Sequence, residues 1–219
     1  RILIVPHAGY IYSGPVAASA YAMLATNRHS ITRVVLIGPD HRVGFRGIAA
    51  PSADWFETPL GRIPVDQEAI DNLPGVERFD RAHKLEHSLE VHLPFLQKSL
   101  DDFSLVPLVV GQADPGDVAA VLETLWGGDE TLIVISSDLS HYHDYLTASR
   151  IDNETTRAIE SFNDAAIGPQ EACGYVGVRG LLQVASKKGL HEITLDVRNS
   201  GDTAGPRDQV VGYGAYLFY

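Results

Sequence analysis

Hydrophobic positions in this chain cluster into short aliphatic runs that stop abruptly at polar, glycine-bearing or serine-bearing segments. Ile2 to Val5 ends at His7, Val34 to Ile37 at His41, and Thr131 to Ile135 at Asp138 and His141. Each run is short and mostly β-branched, the pattern of a strand buried on both faces of a parallel sheet. Between the first two, a helical pattern runs from Pro15 to about Ala25, with Ser13 or Gly14 as a cap and Pro15 suited to the first turn. The chain therefore opens β-α-β.

Further along, Asp54 to Asp66 carries Pro59 and Gly61 between short apolar stretches and predicts a hairpin or an irregular excursion. Asp66 caps a short helix reaching about Leu73. A single helix is expected from Glu86 to Leu100, distorted or bounded by Pro94. A strand from Phe103 to Val110 and helices over Pro115 to Trp126, Leu146 to Phe162 and Gly177 to Lys188 follow. Two β-rich runs, Glu192 to Val197 and Gln209 to Phe218, close the chain around a turn-rich insert that is long for a hairpin loop. The expected fold is α/β, one domain spanning residues 1–219, with a mixed, largely parallel central sheet and helices on both faces.

At 219 residues and 45% hydrophobic, the chain can bury one sizeable core. A net charge of −11 without a basic stripe argues against a nucleic-acid partner. No apolar stretch approaches the roughly 20 residues needed to span a bilayer, so no membrane partner is expected. One cysteine cannot form an internal disulfide, which makes a reducing cytoplasm the expected location. Arg1 opens directly into a strand without an initiator Met, which leaves room for an upstream segment.

Chemistry concentrates at the strand ends, where open α/β sheets bind ligands. His7, His41, Asp138 and His141 follow the three runs, and Cys173 stands beside Gly174 and Gly177. Imidazole and thiolate together have strong affinity for iron, copper or zinc; the competing reading of Cys173 is a small buried hydrophobe. Glu86, His87, Glu90 and His92 form a second group. Its spacing is not that of two imidazoles on one helical turn, so it reads either as support for ligating imidazoles, a carboxylate orienting a ring, or as a polar helix face. Tyr10 and Tyr12 either wall a pocket or simply pack. Neither a phosphate-binding glycine fingerprint nor a nucleophile elbow is present.

Taken together, Pro6-His7-Ala8-Gly9-Tyr10 with Tyr12-Ser13-Gly14, Gly38-Pro39-Asp40-His41, Glu86-His87-Ser88 through His92-Leu93-Pro94, Ser136-Ser137-Asp138 with Ser140-His141, Cys173-Gly174, and Asn199-Ser200-Gly201-Asp202 before Val211-Gly212-Tyr213 resemble the signature blocks of the Memo family. Its bacterial and archaeal members are called AmmeMemoRadiSam system protein B. The resemblance covers nearly the whole chain and implies a further N-terminal segment that this chain lacks. It also implies the fold of LigB-type class III extradiol dioxygenases, which hold non-haem iron with two histidines and a carboxylate. Carried over, His7 and His41 match the histidine ligands, Cys173 stands in place of the carboxylate, and His141 matches the acid/base histidine, with Asp138 close by. Asp40, Tyr10, Tyr12, Glu86, His87, Glu90 and His92 fall to substrate contact or ligand support.

The function this implies is a metal-dependent, dioxygenase-like oxidoreductase on a small aromatic substrate, with iron(II) as the first expectation and copper or zinc as alternatives. A thiolate is softer than a carboxylate and shifts the preference among metals. The same resemblance admits a peptide- or protein-binding signalling module, or a copper or zinc site for metal handling or hydrolysis. It also suggests a partner protein of the AmmeMemoRadiSam system.

Overall fold

The computed structural model describes residues 1–219. Its strands are β1 (Ile2–Val5), β2 (Arg33–Pro39), β3 (Ile48–Ala50), β4 (Trp55–Thr58), β5 (Gly61–Pro64), β6 (Val76–Arg78), β7 (Ser104–Val110), β8 (Thr131–Ser136), β9 (His141–His143), β10 (Glu192–Asn199) and β11 (Val210–Phe218). The helices are α1 (Tyr10–Tyr21), α2 (Gln67–Asp71), α3 (Asp80–His83), α4 (His87–Glu90), α5 (Leu93–Ser99), α6 (Pro115–Thr124), α7 (Tyr145–Glu160) and α8 (Tyr175–Lys188). One sheet runs β10-β11-β1-β8-β2-β7-β3-β6, with β9 paired to β11, and β4 and β5 form a separate hairpin. Its centre, β1-β8-β2-β7, is parallel, while β11 and β3 join antiparallel on either side. This is the mixed, largely parallel α/β sheet expected of the aliphatic runs.

Successive side chains of the central strands point to opposite faces, and both faces are covered. Ile2, Ile4, Val35, Ile37, Ile133 and Ile135 pack under α6, α7 and α8. Leu3, Val5, Val34, Leu36, Leu132 and Val134 pack under α1 and α5. Burial on both sides explains why these strands read as continuous apolar runs rather than as alternating ones.

Two helices differ from expectation. α1 starts at Tyr10, five residues before Pro15, because its buried face of Ser13, Val16, Ala17, Ala20 and Tyr21 extends back by one turn; Pro15 sits inside the helix, and the β1–α1 connection is only Pro6 to Gly9. The segment from Glu86 to Leu100 divides into α4 and α5. Pro94 occupies the first turn of α5, where no backbone N–H is needed, and His92 falls between the two pieces. Asp66 caps α2 by accepting from the Ala69 N–H, as its position suggests. No helix is long and apolar enough to cross a membrane.

Candidate metal centre

Because β1, β8 and β2 run parallel, the residues that follow them emerge on one edge of the sheet. His7 leaves β1, Ser137 and Asp138 leave β8, and His41 leaves β2. Cys173 arrives from the opposite direction, just ahead of α8. Its N–H donates to the Asp138 carbonyl at 3.2 Å, and the Gly174 N–H donates to Ser137 Oγ at 2.9 Å. Gly174 is needed for that approach: a Cβ there would lie 2.5 Å from the Ser136 carbonyl oxygen.

One ligand atom from each of His7, His41 and Cys173 falls within 4.8 Å of the others. Cys173 Sγ is 3.5 Å from His7 Nε2 and accepts from the Asp138 N–H at 3.3 Å. His41 is clamped by Glu86, whose carboxylate accepts from the His41 backbone N–H at 2.6 Å and from Nδ1 at 2.9 Å, as well as from the Ser88 N–H at 2.9 Å. His41 Nε2 is thereby left bare. His7 Nδ1 meets Ser136 Oγ at 2.6 Å, and its backbone N–H donates to Asp138 Oδ1 at 2.7 Å. His87 completes a triangle of rings, with centroids 4.8 Å from His41 and 5.5 Å from His7.

Burial tunes these groups. Desolvation pushes the Glu86 carboxyl up, but hydrogen bonds from the His41 ring, the His41 N–H and the Ser88 N–H outweigh it and hold the group at about 2. Burial, reinforced by the Asp138 charge, pushes the Cys173 thiol up to about 12. Burial lifts Asp138 to about 6 against the His7 and Ala8 N–H donors and the nearby His141 charge. Burial also lowers His7 well below its ordinary value, with His41 and His87 adding to the effect, and lowers His92 to about 3.

Two imidazoles and a sulfur fit a borderline or soft transition metal such as iron, copper or zinc. The buried thiol gives up its proton to bind one, so metal binding would release a proton and strengthen as pH rises. The carboxylate behind His41 follows the usual arrangement in which a ligating imidazole donates its other N–H to an anion.

The remaining predicted residues are spread more widely. Asp138 is buried against His7 and Cys173, whereas His141, on β9, lies outside the three-atom cluster. Asp40 spends its carboxylate on the N–H groups of Arg42, Val43 and Gly44 and shapes the loop after His41. Tyr10 donates to the Val91 carbonyl and packs on Phe95; Tyr12 is partly exposed. Glu90 is exposed and makes no hydrogen bond to the cluster. His92 is fully buried and reaches the cluster through Ser136.

Ser136, Ser88 and Tyr21 connect these groups; the first two stand in the blocks that carry the family resemblance but receive no role there, and Tyr21 is not among them. The available signal at Ser136 is a hydroxyl at the last position of an otherwise apolar strand. Beyond Cys173, between the ends of β2 and β7 and the start of α8, lies a cavity of about 260 Å³ walled by Phe45, Val110, Gln112, Tyr175 and Val176. Cys173 and Ser136 line it; the His7 and His41 rings do not.

The profile of the family described as Memo-like protein matches residues 1–217. The chain is similar to a MEMO1 family protein of Saccharolobus solfataricus, 36% identical over 233 residues that cover 98% of this chain and 81% of that protein. It is likewise similar to one from Methanosarcina mazei, 36% identical over 229 residues covering 98% and 84%. A third, from Metallosphaera sedula, is 36% identical over 234 residues covering 99% and 82%.

Proposed function

Because the chain belongs to the Memo family, we propose that it is a metal-dependent oxidoreductase of the dioxygenase-like kind, acting on a small aromatic molecule. The observation that carries this reading is the convergence of His7, His41 and Cys173 within 4.8 Å. Iron(II) is the metal proposed, with copper or zinc as the competitors that the sulfur ligand admits. When bound, such a metal supplies Lewis acidity, open coordination positions and, for iron or copper, electron transfer.

The chain's own residues supply the rest. Glu86 and Ser136 hold the His41 and His7 rings by their Nδ1 atoms, which leaves His7 Nε2 facing Cys173 Sγ and His41 within 4.8 Å of both. Asp138, lifted to about 6, is suited to hold or give up a proton near neutral pH. His141, whose charge Asp138 feels, is the proposed acid/base partner. The cavity beside Cys173 supports a small substrate: its volume of about 260 Å³ is below that of ordinary ligand pockets, and Phe45 and Tyr175 offer aromatic faces while Gln112 offers a polar contact.

The test is metal content by mass spectrometry on protein purified without oxygen, for wild type, Cys173→Ser and His41→Ala, together with oxygen uptake on a panel of catechols and indoles. Near-stoichiometric iron in wild type, lost in both variants, with uptake on an aromatic compound is the expected result. Zinc without oxygen uptake would replace this reading with hydrolysis, and copper with metal handling. A wild type that binds no metal would leave a binding module.

A further inference from the structure

Ser136 Oγ is a junction whose three partners can be satisfied in only one way. Its neighbours are the Ser88 carbonyl oxygen at 2.6 Å, His7 Nδ1 at 2.6 Å and His92 Nε2 at 2.8 Å. A carbonyl oxygen can only accept, so the single hydroxyl proton goes to Ser88. If either imidazole nitrogen were bare, it would face an oxygen lone pair at hydrogen-bond distance with no proton between them. Both rings must therefore donate to Ser136. His92 then carries its proton on Nε2 and presents a bare Nδ1, which accepts from the Tyr21 hydroxyl at 2.8 Å. His7 carries its proton on Nδ1 and presents a bare Nε2 toward Cys173 Sγ at 3.5 Å. Ser88, Ser136, His7, His92 and Tyr21 are all buried, at 3% exposure or less, so water has little access to scramble the pattern.

We propose that Ser136 is a positioning residue: the buried chain Tyr21, His92, Ser136 and Ser88 sets His7 in the one tautomer that can offer Nε2 to a ligand beside Cys173. The tautomer assignment holds without any metal. Only its consequence for affinity rests on the proposed metal centre, so the two can fail separately. The arrangement assigns Tyr21 and His92 a role that neither could fill by touching the ligand, since Ser136 stands between them and His7. The choice of serine follows from the count. A hydroxyl is a small group that can accept twice while donating once, whereas a carboxylate at this point would be repelled by the Ser88 carbonyl.

Two-bond nitrogen–proton correlation spectra of the metal-free protein, with the signals assigned through His7→Gln and His92→Gln, read the tautomers directly. The expected wild-type result is His7 protonated at Nδ1 and His92 at Nε2. In Ser136→Ala, the His7 signals should move to a mixture of tautomers, and the affinity for Zn(II), a diamagnetic probe, should fall about 10- to 100-fold. Tyr21→Phe keeps the ring stacked on Phe95 and serves if Ser136→Ala does not fold. It should shift His92 Nδ1 toward an unbonded acceptor while His7 keeps its tautomer. Finding His7 protonated at Nε2 in wild type, wild-type tautomers in Ser136→Ala, or an unmoved His92 in Tyr21→Phe overturns the proposal. Wild-type protein that shows the expected tautomers yet does not bind Zn(II) counts against the metal centre and leaves the assignment standing.

Discussion

The two imidazoles of the centre are fixed by opposite means. His41 sits at the mouth, with its side chain 28% exposed, and is held by the ionised Glu86 carboxylate. His7 is 2% exposed and is held by a neutral hydroxyl that is itself part of a neutral chain. The groups around each support, more than its burial, decide which device is used. The Glu86 side chain is itself only 1% exposed, and three N–H donors carry its charge in place of water; at Ser136 an ion would lose its hydration while facing the Ser88 carbonyl oxygen, an acceptor that cannot replace it. The His41 ring therefore has a charged support that strengthens it as a ligand, while the His7 ring has a support that fixes direction and adds no charge.

Breaking the two supports should separate the halves most sharply by stability. Ser136→Ala strands the Ser88 carbonyl, the His7 Nδ1–H and the His92 Nε2–H in a dry environment. Each buried orphan costs about 1–3 kcal/mol, so a loss of roughly 3–5 kcal/mol is expected even if one finds another partner. Glu86→Gln keeps one accepting oxygen and leaves the half-exposed His41 ring able to recruit water, so about 2–3 kcal/mol is expected. Urea unfolding midpoints on metal-free protein read both. The reverse order would show that the charge at the mouth, and not the dry junction, dominates.

Acid should undo the halves in sequence. His92 is depressed from 6.5 to about 3, so the unfolded chain binds its proton first and stability falls as pH drops from 6.5 toward 3; His7 is shifted in the same direction. Glu86 is depressed from 4.5 to about 2, so its contribution is lost only as pH drops from 4.5 toward 2. Asp138, raised from 3.8 to about 6, works with the opposite sign: the folded protein binds its proton first, which adds stability as pH falls through 6 to 3.8 and partly offsets the histidine loss. His92→Gln should flatten the upper part of the stability-against-pH curve, and Glu86→Gln the part below 4.5. Coincident losses in the two variants would mean that the halves are not independent.

How much of this was legible from the sequence follows the same division. The strands ending at Val5, Pro39 and Ser136 announce themselves because burial on both faces demands unbroken aliphatic runs, and a parallel sheet then places His7, His41 and Asp138 on one edge. The break between α4 and α5 was obscured by a helical pattern that continues across it. The short strands β3, β6 and β9, of three residues each, carry too little pattern to be read and exist through pairing with β7, β3 and β11. The role of Ser136 stayed hidden for a different reason: its partners His7, Ser88 and His92 are 129, 48 and 44 residues away. A hydroxyl's role there depends on three-dimensional proton counting and leaves no periodicity behind.

The smallest effect is expected at Glu90, which the sequence grouped with Glu86, His87 and His92. One short helix divides that group. α4 turns His87 toward His41 and buries Ser88 and Leu89, while Glu90, at its last position, faces outward. An exposed carboxylate without a fixed partner contributes within about 0.5 kcal/mol, and screening by salt mutes its field at the cluster. Glu90→Ala should therefore leave the unfolding midpoint and the Zn(II) affinity within error of wild type, measured beside Glu86→Gln under the same conditions. A several-fold loss of affinity would extend the charged support of the mouth beyond Glu86 and undo the picture of a single carboxylate holding His41.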